Sequence, residues 1–420
     1  MRKTTGILSI LVLALSVSLI PVSGVSGEKP MELSYWGLFS GGDGDFMNEL
    51  ISGFNEAHPD IKVKYMGLIY NEYYMKLRTA AAAGRGPDLA ISHLTQLAAL
   101  DREGVLAPLD DAAKAAGVDW SAFNQNTLSQ TILDGKHMAV PLDMFAMVMF
   151  SNKKLLDQAG LLDSNGQPIV EDGVDGFMNF MRTLKSNIPE DCVVFATPMT
   201  ATTAPRVFLT LFSQVDGKLL TDDGKQAALN DGDKAKKVLQ LMVDMVNEGL
   251  WPKGIQMPAE VFKAGKAALH AMGVWATGDF ERVDGLEFVV TAFPKVFDRK
   301  TTWGDSHTFI LVKQRNQDPE RAKAVAMFAD WVTDKGIIWS KAGHIPSKTV
   351  VVESDEFKAL KYRPDYTHVA DTAVFPPQSE RIDGINEILS KHLVAALLGQ
   401  ETVDVACDRM EKEINRLLSR

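Results

Sequence analysis

Apolar and polar positions in the first third of the chain switch between two periods. Leu33 to Trp36 is a short strand-like run. Phe46, Leu50 and Phe54 recur every fourth residue, the stripe of an amphipathic helix. Asp43 or Asp45 can cap its start, and Pro59 lies just past its end. Ile61-Lys-Val-Lys-Tyr65 then alternates, as a half-buried strand does. Tyr70 to Ala83 is helical again, Gly84-Arg-Gly-Pro87 breaks it, Asp88 to Ser92 reads as a strand, and His93 to Arg102 as a helix. Such alternation predicts an α/β sheet with helices on its faces. Sheets of this kind bind ligands beyond the carboxyl ends of their strands. The segments after Trp36, after Ser92 and around Asp143 therefore carry the interest in this first part.

A second alternation follows. Lys136 to Pro141 is strand-like, Ala146 to Ser151 a strand, Lys153 to Ala159 a helix, and Leu161 to Gly176 polar and irregular. Helices are expected at Phe177 to Ser186, Ala204 to Phe212 and Asp233 to Glu248, the last with its stripe of Val238, Leu239, Met242 and Met245. Strands are expected at Cys192 to Thr197, Ala268 to Trp275, Leu286 to Ala292 and Thr308 to Val312, with Trp303 to His307 linking the last two. From Pro319 the pattern is mostly helical to Arg420, interrupted at Gly343 to Lys348 and at Pro376-Pro377.

The N-terminus adds a compartment. Arg2 and Lys3 precede an apolar run from Ile7 to Ile20, broken by Pro21 and followed by Ser23, Gly24, Ser26 and Gly27. Charged, apolar and small-residue zones in that order make residues 1–27 a secretory signal, cleaved between Gly24 and Glu28. The run is short for a membrane anchor, which needs about 20 apolar residues. No cysteine stands there to take a lipid, so a chain free in a periplasm, without a membrane anchor, is expected. The whole chain of 420 residues carries a formal charge of −10, and the leader contributes two cations and no acid. This acidity argues against nucleic acid as a partner. Of the two cysteines, Cys192 sits in a strand-like run and Cys407 in a C-terminal helix. Export permits a disulfide, but two buried free thiols are the favoured reading.

Several segments resemble family 1 extracellular solute-binding proteins, the relatives of the maltose-binding protein. The resemblance opens with Trp36, Phe39-Ser40-Gly41-Gly42 and the helix ending Phe54-Asn-Glu-Ala-His-Pro-Asp-Ile-Lys-Val63. It continues in order through Ala82-Ala-Gly-Arg-Gly-Pro-Asp88, Val105-Leu-Ala-Pro-Leu-Asp110, Asp134-Gly-Lys136, Val140-Pro-Leu-Asp143, Phe150-Ser-Asn-Lys153, Gly265-Lys-Ala-Ala268, Gly273-Val-Trp275 and Gly343-His-Ile-Pro-Ser347. Each piece is weak, and their ordered sum spans the mature chain. The resemblance implies a two-lobed periplasmic-binding-protein fold, type II-like, with each lobe a sheet flanked by helices and the ligand cleft between lobes. It implies a monomeric receptor that captures a sugar or oligosaccharide and delivers it to the transmembrane subunits of an ABC permease, with no cofactor and no metal. The chain should cross between lobes near Asp143, near Trp303 to His307 and near Ile345 to Val350. The N-terminal lobe is then 28–143 plus 304–346 and the C-terminal lobe 144–303 plus 347–420.

A sugar presents hydroxyls around a ring with apolar faces, so its site wants stacking aromatics with carboxylates, amides and imidazoles. Candidates on the sheet-end segments are Trp36, Phe39, Ser40, Gly41, Asp43, His93, Thr95 and Gln96. At the first crossing stand Asp143, Met144 and Phe145; in the second lobe Trp275 and Asp279; at the second crossing Trp303, Gly304, Asp305, Ser306 and His307. Trp36 and Phe39 serve equally well as core, Asp43 as a helix cap, and Asp143 as a pin for the hinge. The resemblance makes Trp275 a favoured stacking residue. Tyr73-Tyr74 lies within a helix, where neighbours point about 100° apart, so one ring is core and the other surface or cleft rim.

Catalytic signatures are lacking: no His-Glu-x-x-His, no Gly-x-Ser-x-Gly, no phosphate loop, and eight scattered histidines. A binding protein rather than an enzyme is expected. A secreted glycosidase remains the enzyme alternative, since it needs only two carboxylates and the chain has 54 acids. Other cargoes are a polyamine, a phosphodiester or a peptide. Asp43, Asp143 and Asp305 at the sheet ends favour a neutral, hydroxyl-rich ligand over an anionic one.

Overall fold

The computed structural model describes residues 29–39 and 41–420. The expected leader (1–27), its cleavage point and Ser40 lie outside the described residues. Among the described residues fifteen strands run in chain order as β1 Met31–Gly37, β2 Ile61–Gly67, β3 Leu89–His93, β4 Leu106–Ala107, β5 Ile132–Leu133, β6 Lys136–His137, β7 Val140–Pro141, β8 Asp143–Asn152, β9 Val193–Phe195, β10 Ala267–Gly273, β11 Phe288–Ala292, β12 Thr302–Asp305, β13 His307–Val312, β14 Ile345–Pro346 and β15 Ala373–Val374. They form two large sheets and one small ribbon. The first sheet has the order β2-β1-β3-β13-β4, with β7 also on β13. The second has the order β15-β12-β8-β10-β9, with β11 and β14 also on β8. Asp134 and Gly135, both at positive φ, turn the β5–β6 ribbon as a tight hairpin turn requires.

The spine of the second sheet follows from its sequence. Asp143-Met-Phe-Ala-Met-Val-Met-Phe-Ser-Asn152 lacks polar alternation because both faces are covered, and all ten residues are buried. Antiparallel partners β10, β11, β12 and β14 surround it. The helix Lys234–Asn247 packs on this lobe through the expected stripe of Val238, Leu239, Met242 and Met245. In the first sheet β1 lies between parallel neighbours β2 and β3, and Leu33, Phe54, Leu89 and Phe309 share one core. Each such residue taken fully out of water contributes roughly 1.5–3 kcal/mol.

The chain changes sheets between β7 and β8, at Leu142, and between β12 and β13, at Ser306. The stretch expected as a link, Trp303 to His307, is instead strand on both sides of one residue. It is buried throughout, and its polar atoms find distant partners. Thr302 donates its hydroxyl to Met147 O, and Trp303 N–H donates to the Thr210 hydroxyl. Two further expectations shift. The strand toward Trp275 ends at Gly273, and Val274 to Ala276 form a single 3-10 turn. Both thiols are free, but only Cys407 is buried; Cys192 is partly exposed. No helix among the described residues is long and apolar enough to cross a membrane.

Candidate functional site

The helix Tyr70–Ala82 and the carboxyl end of β3 face β12 and two helices of the second lobe, Thr203–Gln214 and Ile382–Leu397. Between them lies a cavity of about 150 Å³. Tyr70, Tyr74, His93, Thr95 and Gln96 line it from the first side. Arg206, Trp303, Asp305, Asp383 and Asn386 line it from the second. A wider depression of about 740 Å³ lies elsewhere on the second lobe, among Lys153, Asp157, Lys263 and Glu287. It draws on one lobe only. The smaller cavity draws on both and holds buried polar groups, the mark of a ligand site.

Polar contacts cross the cleft and hold it shut. The Thr95 hydroxyl donates to Asp305 Oδ2 at 2.9 Å. Gln96 Nε2 donates to Asp383 Oδ1 at 2.6 Å, and Arg78 Nη2 reaches Asp383 Oδ2 at 3.3 Å. Gln378 Nε2 donates to Leu94 O at 3.0 Å. Burial pushes the Asp305 carboxyl up to about 6, against the pull of Ser306 N–H, the Thr95 hydroxyl, His307 and Arg206. It remains largely ionised at neutral pH. Burial and the neighbouring His307 hold His93 well below its usual value, hence neutral. Its backbone N–H donates to the Tyr74 hydroxyl at 2.9 Å, and that hydroxyl lies 2.6 Å from Nδ1.

Behind the cavity stands a buried hub. Asp143 Oδ1 accepts the His307 N–H at 2.8 Å, while Oδ2 accepts from Trp339 Nε1 at 2.7 Å and lies 2.8 Å from His307 Nδ1. His344 stacks on Trp339 with ring centroids 5.0 Å apart. Its Nδ1 is 3.2 Å from Asp143 Oδ2 and its Nε2 is 3.6 Å from Asp43 Oδ2, both ionic contacts. Burial alone would raise Asp143, but His307, His344 and Trp339 outweigh it and hold the carboxyl below its ordinary 3.8. Burial alone would lower His344, but Asp143 and Asp43 hold it above its ordinary 6.5. Asp143, His307 and His344 are the one group of metal-ligating types among the described residues whose donor atoms lie within 4.8 Å of one another. The oxygen that a cation would need is already engaged by the Trp339 indole and the His307 ring, so the group fits a hydrogen-bonded hub better than a metal centre.

Of the residues singled out from sequence, the cavity gathers His93, Thr95, Gln96, Trp303 and Asp305. Phe145 sits just behind it, 5.5 Å from Trp275, 6.0 Å from Trp303 and 4.7 Å from His307 between ring centroids. Asp143, Ser306 and His307 belong to the hub or its flank; the Ser306 hydroxyl donates to His307 O. Met144 and Gly304 are buried on β8 and β12. Phe39 is core, packed edge-on against His307 and Trp339. Trp36 is partly buried in a smaller apolar cluster, and its carbonyl accepts from the Tyr73 hydroxyl. Gly41 begins the helix Gly41–Ala57, with Asp43 in its first turn.

Two candidates stand apart. Asp279 pairs with Lys263 at 2.5 Å with its side chain half exposed, and is not brought into the group. Trp275 is folded back on its own strand: a Cβ on Gly273 would fall 1.8 Å from its ring. The Arg206 guanidinium, 5.2 Å from the ring centroid, and Phe145, 5.5 Å away, also pack on it, so this indole is not an open stacking platform. Sequence reasoning passed over Tyr70, Arg206, Asp383 and Asn386. Arg206 left one signal, a lone cation in the first turn of the apolar run Ala204 to Phe212. Tyr74 is the rim member of the tyrosine pair and Tyr73 the core member, 0% exposed.

Comparison with known proteins places this geometry. The family model described as bacterial extracellular solute-binding protein matches residues 40–337. A binding protein of Brucella abortus strain 2308 is 23% identical over 414 residues, covering 94% of both chains. An arabinooligosaccharide-binding protein of Halalkalibacterium halodurans is 26% identical over 274 residues, covering 62% of this chain and 57% of that one. The crystal structure of the cyclic alpha-maltosyl-1,6-maltose binding protein from Arthrobacter globiformis superposes with a TM-score of 0.78 at 20% identity, over 93% of this chain and 99% of that chain. The fold is thus the two-lobed α/β architecture with a cleft between lobes.

Proposed function

Because the chain belongs to the bacterial extracellular solute-binding proteins, we propose that it is an exported carbohydrate receptor that closes on a sugar or short oligosaccharide and delivers it to an ABC permease. One observation carries the reading. The cavity between the sheets is ringed by hydroxyl, amide, carboxylate and neutral imidazole groups, a donor and acceptor set matched to sugar hydroxyls. His93, Thr95, Gln96, Asp305 and Asn386 serve as hydroxyl partners, with Trp303 as the apolar wall. The names of the Halalkalibacterium and Arthrobacter proteins point the same way. A volume of about 150 Å³ is small beside the several hundred Å³ of typical ligand pockets, and favours a short cargo.

The moving bodies in this reading follow the two sheets, so the bounds expected after 143 and before 304 move to Leu142 and Ser306. The links at Leu142 and Ser306 act as hinges, and the Asp143 hub lies beside them. The chain acts as a monomer without a membrane anchor, in the periplasm, its leader removed. It binds and does not transform its solute: both carboxylates of the cavity are already engaged, Asp305 by Thr95 and Ser306 and Asp383 by Gln96 and Arg78.

A melting screen tests the cargo class. A ligand at a hundredfold excess over its Kd adds about 2.7 kcal/mol of apparent stability. At least one mono- or oligosaccharide should raise the midpoint accordingly, while polyamines, glycerophosphodiesters and peptides leave it in place. A shift with one of the latter and with no sugar overturns the assignment. Steady release of reducing ends would instead make the protein a glycosidase.

A further inference from the structure

Arg206 is a cation that the fold holds in place and, among the described residues, leaves without a hydrogen-bond or ion-pair partner. It sits in the first turn of Thr203–Gln214 with its guanidinium against the cavity. Its charge centre lies 4.8 Å from the ring centroid of Trp303 and 5.2 Å from that of Trp275. Trp275 cannot turn freely, because it is wedged over Gly273. The two indoles therefore fix the guanidinium where a ligand can meet it. The helix end itself is not the receptor: the amides of Thr203 and Ala204 are taken by the hydroxyl and carbonyl of Thr200.

Arg78, Arg102 and Arg363 are matched instead. Arg78 pairs with Glu103 and Asp383, Arg102 with Glu380, and Arg363 with Glu281. Arg206 makes no hydrogen bond and no ion pair among the described residues. The acid that acts on it from a distance, Asp305, has its oxygens occupied by the Thr95 hydroxyl and Ser306 N–H. Tyr70, across the cleft, adds a neutral hydroxyl, since burial raises its pKa above the usual value. An arginine stays charged in such a place, and this partly exposed guanidinium would lose its remaining water when a ligand fills the cavity, which is costly without a partner. A neutral sugar would leave that charge uncompensated, whereas a planar carboxylate matches the guanidinium fork with two hydrogen bonds. Asp305 and Asp383 line the same cavity. One negative charge on the ligand fits beside them; a doubly charged phosphate monoester fits poorly.

We propose that the cargo is an acidic sugar, a uronate whose carboxylate docks on Arg206 while its hydroxyls pair with Asp305 and Asn386. This rests on the carbohydrate reading above and sharpens it, reversing the neutral ligand expected from the acids of the sheet-end segments. The experiment is calorimetric titration of the exported chain with three matched pairs: glucuronate and glucose, galacturonate and galactose, mannuronate and mannose. Glycerophosphocholine is a further arm. At least one uronate should bind at least about tenfold more tightly than its parent hexose. R206Q, with its fold checked by circular dichroism, should lower uronate affinity at least about tenfold more than hexose affinity, and R206K should recover part of the difference. A hexose that binds as tightly as its uronate overturns this inference and leaves the carbohydrate reading standing. So does an equal loss of both in R206Q. Binding of glycerophosphocholine with no sugar of either charge overturns both.

Discussion

Replacing Asp143 by alanine is expected to lower the unfolding free energy by about 3–5 kcal/mol, the cost of breaking a buried charge network by removing one partner. The carboxylate is fully buried and meets three hydrogen-bonding groups, two on His307 and the Trp339 indole, with the His344 ring in ionic contact. Alanine leaves the His307 backbone N–H and the indole N–H without acceptors, in a place water does not reach. Urea denaturation near pH 6 measures the loss. The pH dependence adds a sign. The His344 pKa is raised, so its contribution is complete below 6.5 and is lost as pH climbs through the folded value. The Asp143 pKa is depressed, so its contribution is present above 3.8 and is lost as pH falls through the folded value. The hub is therefore strongest between those two pH values. In the alanine variant the fall in stability above pH 6.5 should shrink, leaving only what Asp43 sustains. Equal stability of the two proteins across that range would remove the hub from the account.

Gly343→Ala should cost about 2–4 kcal/mol, far more than alanine at an unobstructed glycine of positive φ. Gly343 has a φ of +121°, and a Cβ there would lie 2.2 Å from the carbonyl oxygen of Val274. Both atoms are backbone neighbours of the site: His344 follows on one side and Trp275 on the other. The Gly343 carbonyl also accepts the Tyr366 hydroxyl at 2.6 Å, which ties the loop down and limits relief by movement. Gly285→Ala is the control. Its φ is +78°, and a Cβ there meets nothing within 4 Å, so only the backbone cost of about 1–2 kcal/mol applies. Chemical denaturation of both variants against the parent decides it. Similar losses would mean that the Val274 contact yields easily.

Much of the fold is legible in the chain because local pattern and final burial agree. Phe46, Leu50 and Phe54 mark a helix that the structure contains, and Ile61 to Tyr65 alternates along an edge strand of the first sheet. Cys192 to Thr197 and Phe177 to Ser186 are displaced by only a few residues, where end residues answer to tertiary contacts. Trp303 to Asp305 was unreadable as strand because its polar atoms are satisfied from residues far away in sequence, by Thr95 and Thr210. The site divides in the same way. His93, Thr95 and Gln96 follow a recognisable strand, so the rule of strand ends finds them. Asp383 and Asn386 arrive from the C-terminal helices, and no local signal joins them to β3. Trp275 lies behind Arg206, its ring backing the guanidinium, since Gly273 lets the indole fold flat onto its own strand.

The central claim is that a sugar sits in the cavity between the sheets, against Asp305. Calorimetric titration of the most stabilising saccharide against the parent and D305A tests it. D305A removes a charged acceptor of ligand hydroxyls together with the latch to Thr95, each a charge-assisted hydrogen bond of about 1.5–3 kcal/mol. The parent should bind one equivalent, and D305A, shown to be folded by its own melting curve, should bind about 100-fold more weakly. Unchanged affinity in D305A would put the sugar elsewhere on the molecule and contradict the claim.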